Sequence, residues 1–276
     1  MTDQVWFVTG SSRGLGRSVV EEALAADHMV VATARRTSAL DDLAQRYGDR
    51  LLAVPLDVTD PAQAADAIGR GVERFGGIDV VVNNAGYADL APVEEVSLEA
   101  FRAQVEAVFF GTVHVTKAAL PVFRRQGSGY LIQVTSVGGR LTAPGLAAYQ
   151  SAKFAVEGFS AVLQQEVAPL GIRVTLAEPG AMRTDWAGDS MNIPAFGPDY
   201  EATVGAMAKH LRETSGNEPI DPAKVARVFL NLANDPQPPL HLVLGRNAVD
   251  HMARVMHDTI ANDERWAHIG RSVDFD

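Results

Sequence analysis

A short apolar run, Val5-Trp-Phe-Val8, breaks into Thr9-Gly10-Ser-Ser-Arg13-Gly14-Leu-Gly16, after which Leu15, Val19, Val20 and Leu24 recur at helical spacing. Strand, glycine turn and helix in that order constrain the fold more than any other stretch of the chain. Glycines let the backbone turn tightly and approach a pyrophosphate, and the unpaired N–H groups of the helix start attract its negative charge. The spacing is G-x-x-x-G-x-G, not the commoner G-x-G-x-x-G, so taken alone it also suits any glycine-rich corner between a strand and a helix.

The rest of the chain repeats the alternation. Met29-Val-Val-Ala-Thr-Ala34, Leu51-Leu-Ala-Val-Pro-Leu56, Ile78-Asp-Val-Val-Val82, Tyr130-Leu-Ile-Gln-Val-Thr135, Ile172-Arg-Val-Thr-Leu-Ala177 and Leu240-His-Leu-Val-Leu244 read as six further strands. Between them lie helical patterns. Asp60-Pro61 caps and opens one that runs to Phe75, residues 97–125 form another interrupted near Gly111, and a third covers 149–170 with Gly171 as its C-cap. Asp221-Pro222 opens a helix to Ala233, and 249–269 is helical in pattern. The expectation is an α/β chain of one domain, 1–276: a Rossmann-type, doubly wound, seven-stranded and mostly parallel sheet with helices on both faces. Residues 184–217 lose periodicity. Trp186, Met191, Ile193, Phe196 and Tyr200 are scattered there among Gly, Asp and Pro, so 185–217 is expected to be a substrate loop. A C-terminal helical extension covers 246–276.

Composition narrows the function classes. The formal net charge of −10 argues against sequence-independent nucleic-acid binding and against an anionic membrane surface. No apolar run approaches membrane-spanning length, and the four apolar residues after Met-Thr-Asp-Gln are too few for a signal sequence. There is no cysteine, hence no disulfide or thiolate, and a cytoplasmic address is expected. The seven histidines form no His-Glu-x-x-His, so no metal is expected.

Tyr149-Gln-Ser-Ala-Lys153 lies just inside the helical stretch marked by Ala152, Ala155, Val156, Phe159, Val162 and Leu163. Residues four apart have Cβ atoms roughly 6 Å apart, which places the ammonium beside the phenol. A free tyrosine titrates near pH ~10, and bringing it to neutrality takes roughly 4 kcal/mol, part of which a fixed positive charge supplies. A lone Tyr-x-x-x-Lys is ordinarily a solvated helix face. Here Ser136 precedes Tyr149 by thirteen residues, and both fall at the carboxyl edge of the sheet, where open α/β folds bind ligands. No G-x-S-x-G elbow surrounds Ser136, which disfavours an acyl-transfer hydrolase. At the end of the second strand, Arg35-Arg36 occupy the place where an acid would select NAD and an arginine accommodates the 2′-phosphate of NADP. Arg13 adds a cation on the same side. For Arg36 an ordinary exposed charge is an equal reading. Asn83-Asn84-Ala85-Gly86 ends the fourth strand, where asparagines brace loops through side-chain-to-backbone hydrogen bonds.

Thr9 to Gly16, Asn83 to Gly86, Ser136, Tyr149 with Lys153, and Pro179-Gly180 together resemble the short-chain dehydrogenase/reductase family, and Val134-Thr-Ser-Val-Gly-Gly139 with Lys153-Phe-Ala-Val-Glu-Gly158 is most similar to its members acting on hydroxysteroids, retinoids and similar apolar alcohols. The resemblance implies the roles. Gly10, Ser12, Arg13, Leu15 and Gly16 would surround the dinucleotide phosphates and ribose, Arg35 would take the 2′-phosphate, and Asp57 and Val58 would flank the adenine. Asn83, Ala85 and Gly86 would line the adenosine side, and Pro179, Gly180 and Thr184 would lie by the nicotinamide. Tyr149 would protonate a carbonyl oxygen held by Ser136, while Lys153 would bind the ribose and lower the phenol pKa. The implied protein is an NADP(H)-preferring reductase of ketones, or alcohol dehydrogenase in reverse, acting as a homo-oligomer on a small molecule.

One position departs from the family. Val108-Phe-Phe-Gly111 carries valine where an asparagine usually helps to hold the water that passes protons from the active-site lysine to solvent. A slower relay is expected, held by a backbone carbonyl near Gly111 or by Gln104. The alternative reading is a nucleotide-binding regulatory or scaffold protein of the same fold with impaired catalysis.

Overall fold

The computed structural model describes residues 3–188 and 190–275. Among these, seven strands join in one parallel sheet: β1 (Val5–Val8), β2 (Met29–Ala34), β3 (Leu51–Pro55), β4 (Val80–Asn83), β5 (Gly129–Val134), β6 (Ile172–Pro179) and β7 (His241–Leu244). Their order is β3-β2-β1-β4-β5-β6-β7, so the winding reverses between β1 and β4. Every residue of β1 and β4 is buried, as strands covered by helices on both faces must be. Alternation along β1 divides the core in two. Trp6 and Val8 point into a cluster with Val19, Val20 and Phe229, whereas Val5 and Phe7 point into another with Ala64, Ile68, Val115 and Phe123.

The helices are α1 (Gly14–Ala25), α2 (Asp41–Tyr47), α3 (Pro61–Phe75), α4 (Leu98–Val105), α5 (Gly111–Gln126), α6 (Ala147–Val167), α7 (Ala206–Thr214), α8 (Pro222–Ala233) and α9 (Arg246–Arg271). Their ends follow local chemistry. The Asp60 side chain accepts from the Ala62 and Gln63 amides ahead of Pro61, and Gly76 closes α3 at φ 84°. Ser97 caps α4 in the same way. Between α4 and α5, Glu106–Phe110 forms a π-helical turn, the interruption expected near Gly111.

Two expectations are corrected. Leu98–Gln126 is a continuous 29-residue helical rod, long and apolar enough by composition to cross a membrane, although no such run was expected. Its apolar side chains serve the core: Val115, Ala119, Val122 and Phe123 are buried against α3 and the sheet. Residues 185–217 are not all loop either. Glu201–Gly205 is a second π-helical turn that continues into α7; Val204 of the turn and Met207, Ala208 and Leu211 of the helix pack at helical spacing. The Gly- and Pro-rich run before it hides that period. The C-terminal extension is α9, which buries Ala248 and Met252 and leaves most of its length exposed.

Candidate active site

At the reversal point β1 runs into the glycine turn. Gly10 and Gly14 adopt φ of 67° and 56°, conformations open to glycine but strained for other residues. A Cβ at Gly16 would meet the Gly10 carbonyl and lie 2.5 Å from Asn84 Nδ2. The turn is braced by Asn84, whose side chain donates to the Thr9 carbonyl at 2.9 Å and the Gly10 carbonyl at 3.3 Å, and by the Thr9 hydroxyl, which accepts from the Asn84 and Ala85 amides. No side chain caps α1 among the described residues, and its first turn holds no acid. These features fit a pyrophosphate: a cradle without side chains, and helix amides left free to receive it.

The residues expected around a dinucleotide divide by what their side chains do. Ser12 and Gly86 are accessible, but Leu15 is buried in the core and offers only its backbone. Asn83 does not line an adenosine pocket with its side chain, which points inward and donates to Thr116 and Gln133. Strand alternation turns Asn83 in and Asn84 toward the glycine turn, so bracing and burial fall to neighbours that look alike in sequence. Asp57 accepts from the Thr59 amide and hydroxyl, and Val58 packs against Gly111 beneath the edge. Arg35 and Arg36 are exposed at the end of β2. Arg13 is engaged: its guanidinium pairs with Asp185 at 2.7 Å, tying the glycine turn to the start of the substrate loop. Thr184 sits opposite Gly14, 3.5 Å from where its Cβ would be.

Ser136 follows β5 and caps a single 3₁₀ turn, accepting from the Gly138 amide at 3.0 Å while its hydroxyl lies 3.4 Å from the Pro179 carbonyl. Gly180 donates to the Leu244 carbonyl, so the Pro179-Gly180 corner is held by β7. From α6, Lys153 Nζ donates to the Val134 carbonyl at 2.7 Å and stands 5.7 Å from the centre of the Tyr149 ring. Both side chains are almost fully buried. Burial pushes the Tyr149 phenol up to about 12, with the Ser136 hydroxyl pulling it back, and pushes the Lys153 ammonium down to about 8, with Glu157 holding it up. The expectation that Lys153 lowers the phenol pKa is therefore not met in the protein alone. A low-dielectric setting favours the neutral form of both groups, and at this distance desolvation outweighs their attraction.

Burial of Tyr149 comes from the loop. The Trp186 ring lies 5.3 Å from the phenol ring, and Met191, Ile193, Phe196, Met207 and Leu211 continue an apolar cluster with Leu90, Leu146 and Val204. Sequence reasoning passed over three residues beneath the site: Glu157, Glu178 and His241, which meet around α6, β6 and β7. Glu157 stands one turn beyond Lys153, and that spacing was the only signal that could have singled it out.

A doubly wound parallel sheet with a glycine turn at its reversal point, and with serine, tyrosine and lysine gathered at its carboxyl edge, defines an oxidoreductase of the Rossmann type. The comparisons with known proteins carry this further. The family model for short chain dehydrogenases matches residues 4–192. The oxidoreductase BOA17 of Botryotinia fuckeliana is 50% identical over 267 residues, 96% of this chain and 97% of its own. A crystal structure of a short-chain dehydrogenase from Streptomyces avermitilis superimposes with a TM-score of 0.92 at 38% identity, covering 99% of this chain and all (100%) of the other. One from Burkholderia cenocepacia, in complex with NADP, superimposes at 0.74 with 26% identity over 95% of this chain and 97% of its own. The chain belongs to the short-chain dehydrogenase/reductase family and is an enzyme of that family.

Proposed function

We propose that this protein is an NADP(H)-preferring oxidoreductase acting on a bulky apolar ketone or secondary alcohol. The observation that carries the reading is Tyr149, held with Ser136 and Lys153 at the sheet edge and facing an apolar cluster built by the substrate loop. A nicotinamide dinucleotide held along the glycine turn would supply or accept the hydride. Gly10, Gly14 and Gly16 would admit its pyrophosphate, with the Ser12 and Arg13 amides beside it, and Arg35, exposed like Arg36, would take a 2′-phosphate. Binding of NADP by the Burkholderia cenocepacia relative supports the cofactor class.

In reduction, Ser136 would orient the carbonyl oxygen and Tyr149 would give it the hydroxyl proton as the carbon gains hydride. A phenol with a raised pKa is protonated throughout the neutral range, so it starts each turnover as an acid. An anionic nucleotide near Lys153 would favour the ammonium, which then stabilises the phenolate left behind. Trp186 and its neighbours exclude water from this step, and their displacement by substrate favours large apolar molecules over small polar ones. Phe110, Phe154 and Val162 are exposed on the π-helical turn and on α6, which pack together, and such a face suits a homo-oligomer. A cytoplasmic location belongs to the same reading.

The test is oxidation of NADPH and NADH against a panel of ketones of graded size, with quenching of intrinsic fluorescence to follow nucleotide binding. Turnover that rises with the apolar bulk of the ketone supports the reading. Nucleotide binding with no turnover on any ketone, in either direction, would favour a regulatory protein of this fold instead.

A further inference from the structure

We infer that Glu157 and His241 carry protons between solvent and Lys153, entering the site from beneath α6, with Glu178 holding the imidazole in place. The inference rests on the proposed reductase chemistry, in which Tyr149 must regain a proton after each turnover. The groups expected to hold a relay along α4 and α5 already carry other hydrogen bonds. Val108 is fully buried, its carbonyl accepts from the Thr112 hydroxyl at 2.9 Å, and Gln104 is committed to the Tyr87 carbonyl at 3.3 Å.

The path beneath α6 is built from side chains that take no part in hydride transfer or in holding the nucleotide. Lys153 and Glu157 are one helical turn apart, and their ends are fixed at successive residues of β5 and its exit: Nζ on the Val134 carbonyl, and Glu157 Oε1 on the Thr135 hydroxyl at 2.5 Å. Lys153 and Glu157 form no direct ion pair among the described residues, so transfer between ammonium and carboxyl would pass through a bridging water. Glu157 is only 7% exposed, and its Oε2 has no hydrogen-bond partner among the described residues. The nearest group is His241 Nδ1, 3.3 Å away, which also lies 2.8 Å from Glu178 Oε1. The His241 side chain is 41% exposed and, with Glu157, Arg140, Phe154 and Met256, lines a cavity of about 410 Å³ at the surface. A line of titratable groups thus leads from Glu157, one helical turn from the buried amine, out to water.

The charges facing Glu157 suit transfer. Lys153 stands on its own helix, Glu178 faces it from β6, His241 from β7 and Arg140 from the turn after β5, with Arg140 3.1 Å from Glu178; α9 contributes the apolar Met256. Burial and Glu178 raise the affinity of Glu157 for a proton, while burial lowers that of Lys153, so donor and acceptor approach each other. A divalent cation at the same three residues is disfavoured, because His241 and Glu178 already hydrogen-bond each other directly and Arg140 neutralises Glu178.

In the reducing direction the imidazolium of His241 gives its Nδ1 proton to the Glu157 carboxylate. The resulting carboxylic acid passes a proton, through a water between them, to the Lys153 amine, and the ammonium restores the Tyr149 phenol. The imidazole, left with its proton on Nε2, regains the Nδ1 proton from solvent when the ring turns that nitrogen toward the cavity. Oxidation runs the same transfers backwards.

Glu157→Gln keeps the acceptor for Thr135 but carries no proton, and His241→Asn alters only the outer member. In single-turnover reduction by NADPH both variants should transfer the first hydride at the wild-type rate, because Tyr149 begins protonated. Their steady-state kcat should fall about tenfold, less than the loss of a general acid, with a steeper decline toward high pH. Added imidazole should restore His241→Asn. Steady-state rates within twofold of wild type, or an equal fall in the first turnover and the steady state, would overturn the relay. Infrared difference titration of the unliganded protein gives a readout independent of turnover. It should show a carboxyl signal titrating above the ordinary carboxylate range, raised by burial, that Glu157→Gln lacks and His241→Asn shifts. If the wild type reduces no ketone, the functional reading fails and this titration decides the relay: no such signal overturns it, and its presence supports it.

Discussion

Asp185→Asn should tighten NADPH binding and leave NADH unchanged. Arg13, at the entrance of the glycine turn, was expected to face the 2′-phosphate, and in the structure its guanidinium is held by Asp185 at 2.7 Å. The two side chains are 62% and 47% exposed, so water screens the pair, and exposed pairs of this kind contribute about 0.2–1 kcal/mol. Releasing Arg13 therefore frees at most that much for the phosphate, or about 1.4- to 5-fold in Kd. Loss of one negative charge beside the site acts in the same direction. The assay is fluorescence titration of NADPH and NADH with wild type, Asp185→Asn and Arg13→Ala at low and high salt. The gain should be confined to NADPH, shrink as salt screens it, and vanish in Arg13→Ala/Asp185→Asn. Equal tightening of both nucleotides would mean that Asp185 acts by restraining the loop. Weaker NADPH binding would mean that the ion pair positions Arg13 instead of competing for it.

Four more perturbations probe the same geometry. Tyr149→Phe should lower kcat by about 10²- to 10⁴-fold with the Kd for NADPH little changed, measured by steady-state kinetics and titration; substantial residual turnover would place the proton donor elsewhere. Without nucleotide, denaturant unfolding should show stability rising between about pH 8 and 10. There the unfolded chain still binds the Lys153 proton and the folded protein has lost it; the rise is up to about 3 kcal/mol, Lys153→Met should flatten it, and above pH ~10 the raised Tyr149 and Tyr130 phenols reverse the trend. Gly16→Ala should lose roughly 1–3 kcal/mol and most nucleotide affinity, because its Cβ meets the Gly10 carbonyl and Asn84; an unchanged Tm and Kd would refute the tight turn. Val108→Asn places an amide at a fully buried position and should lose roughly 1–3 kcal/mol without speeding turnover, whereas a faster enzyme would show that the α4–α5 route limits it.

Much of the site was legible because it is local. The glycine turn, the run of β-branched strands and the Tyr149/Lys153 spacing each depend on residues within a few positions of one another, and backbone sterics and helical periodicity act at that range. The alternation of strands and helices then pointed to one parallel sheet with helices on both faces, since a parallel neighbour requires a crossover. The sequence alone could not assign partners. Asn83 and Asn84 differ in role because β4 turns one toward Thr116 and Gln133 and the other toward Thr9. Arg13 meets an acid 172 positions away, and His241 meets Glu178 across 63. The helix hidden in 185–217 forms because its apolar face closes over Tyr149, and that closure in turn pushes the phenol up and not down. Desolvation and charge pairing are set by whichever groups the fold brings within a few ångströms, so the chain alone determined which residues stand at the edge of the sheet, and only tertiary packing decided their protonation, their partners and how they are covered.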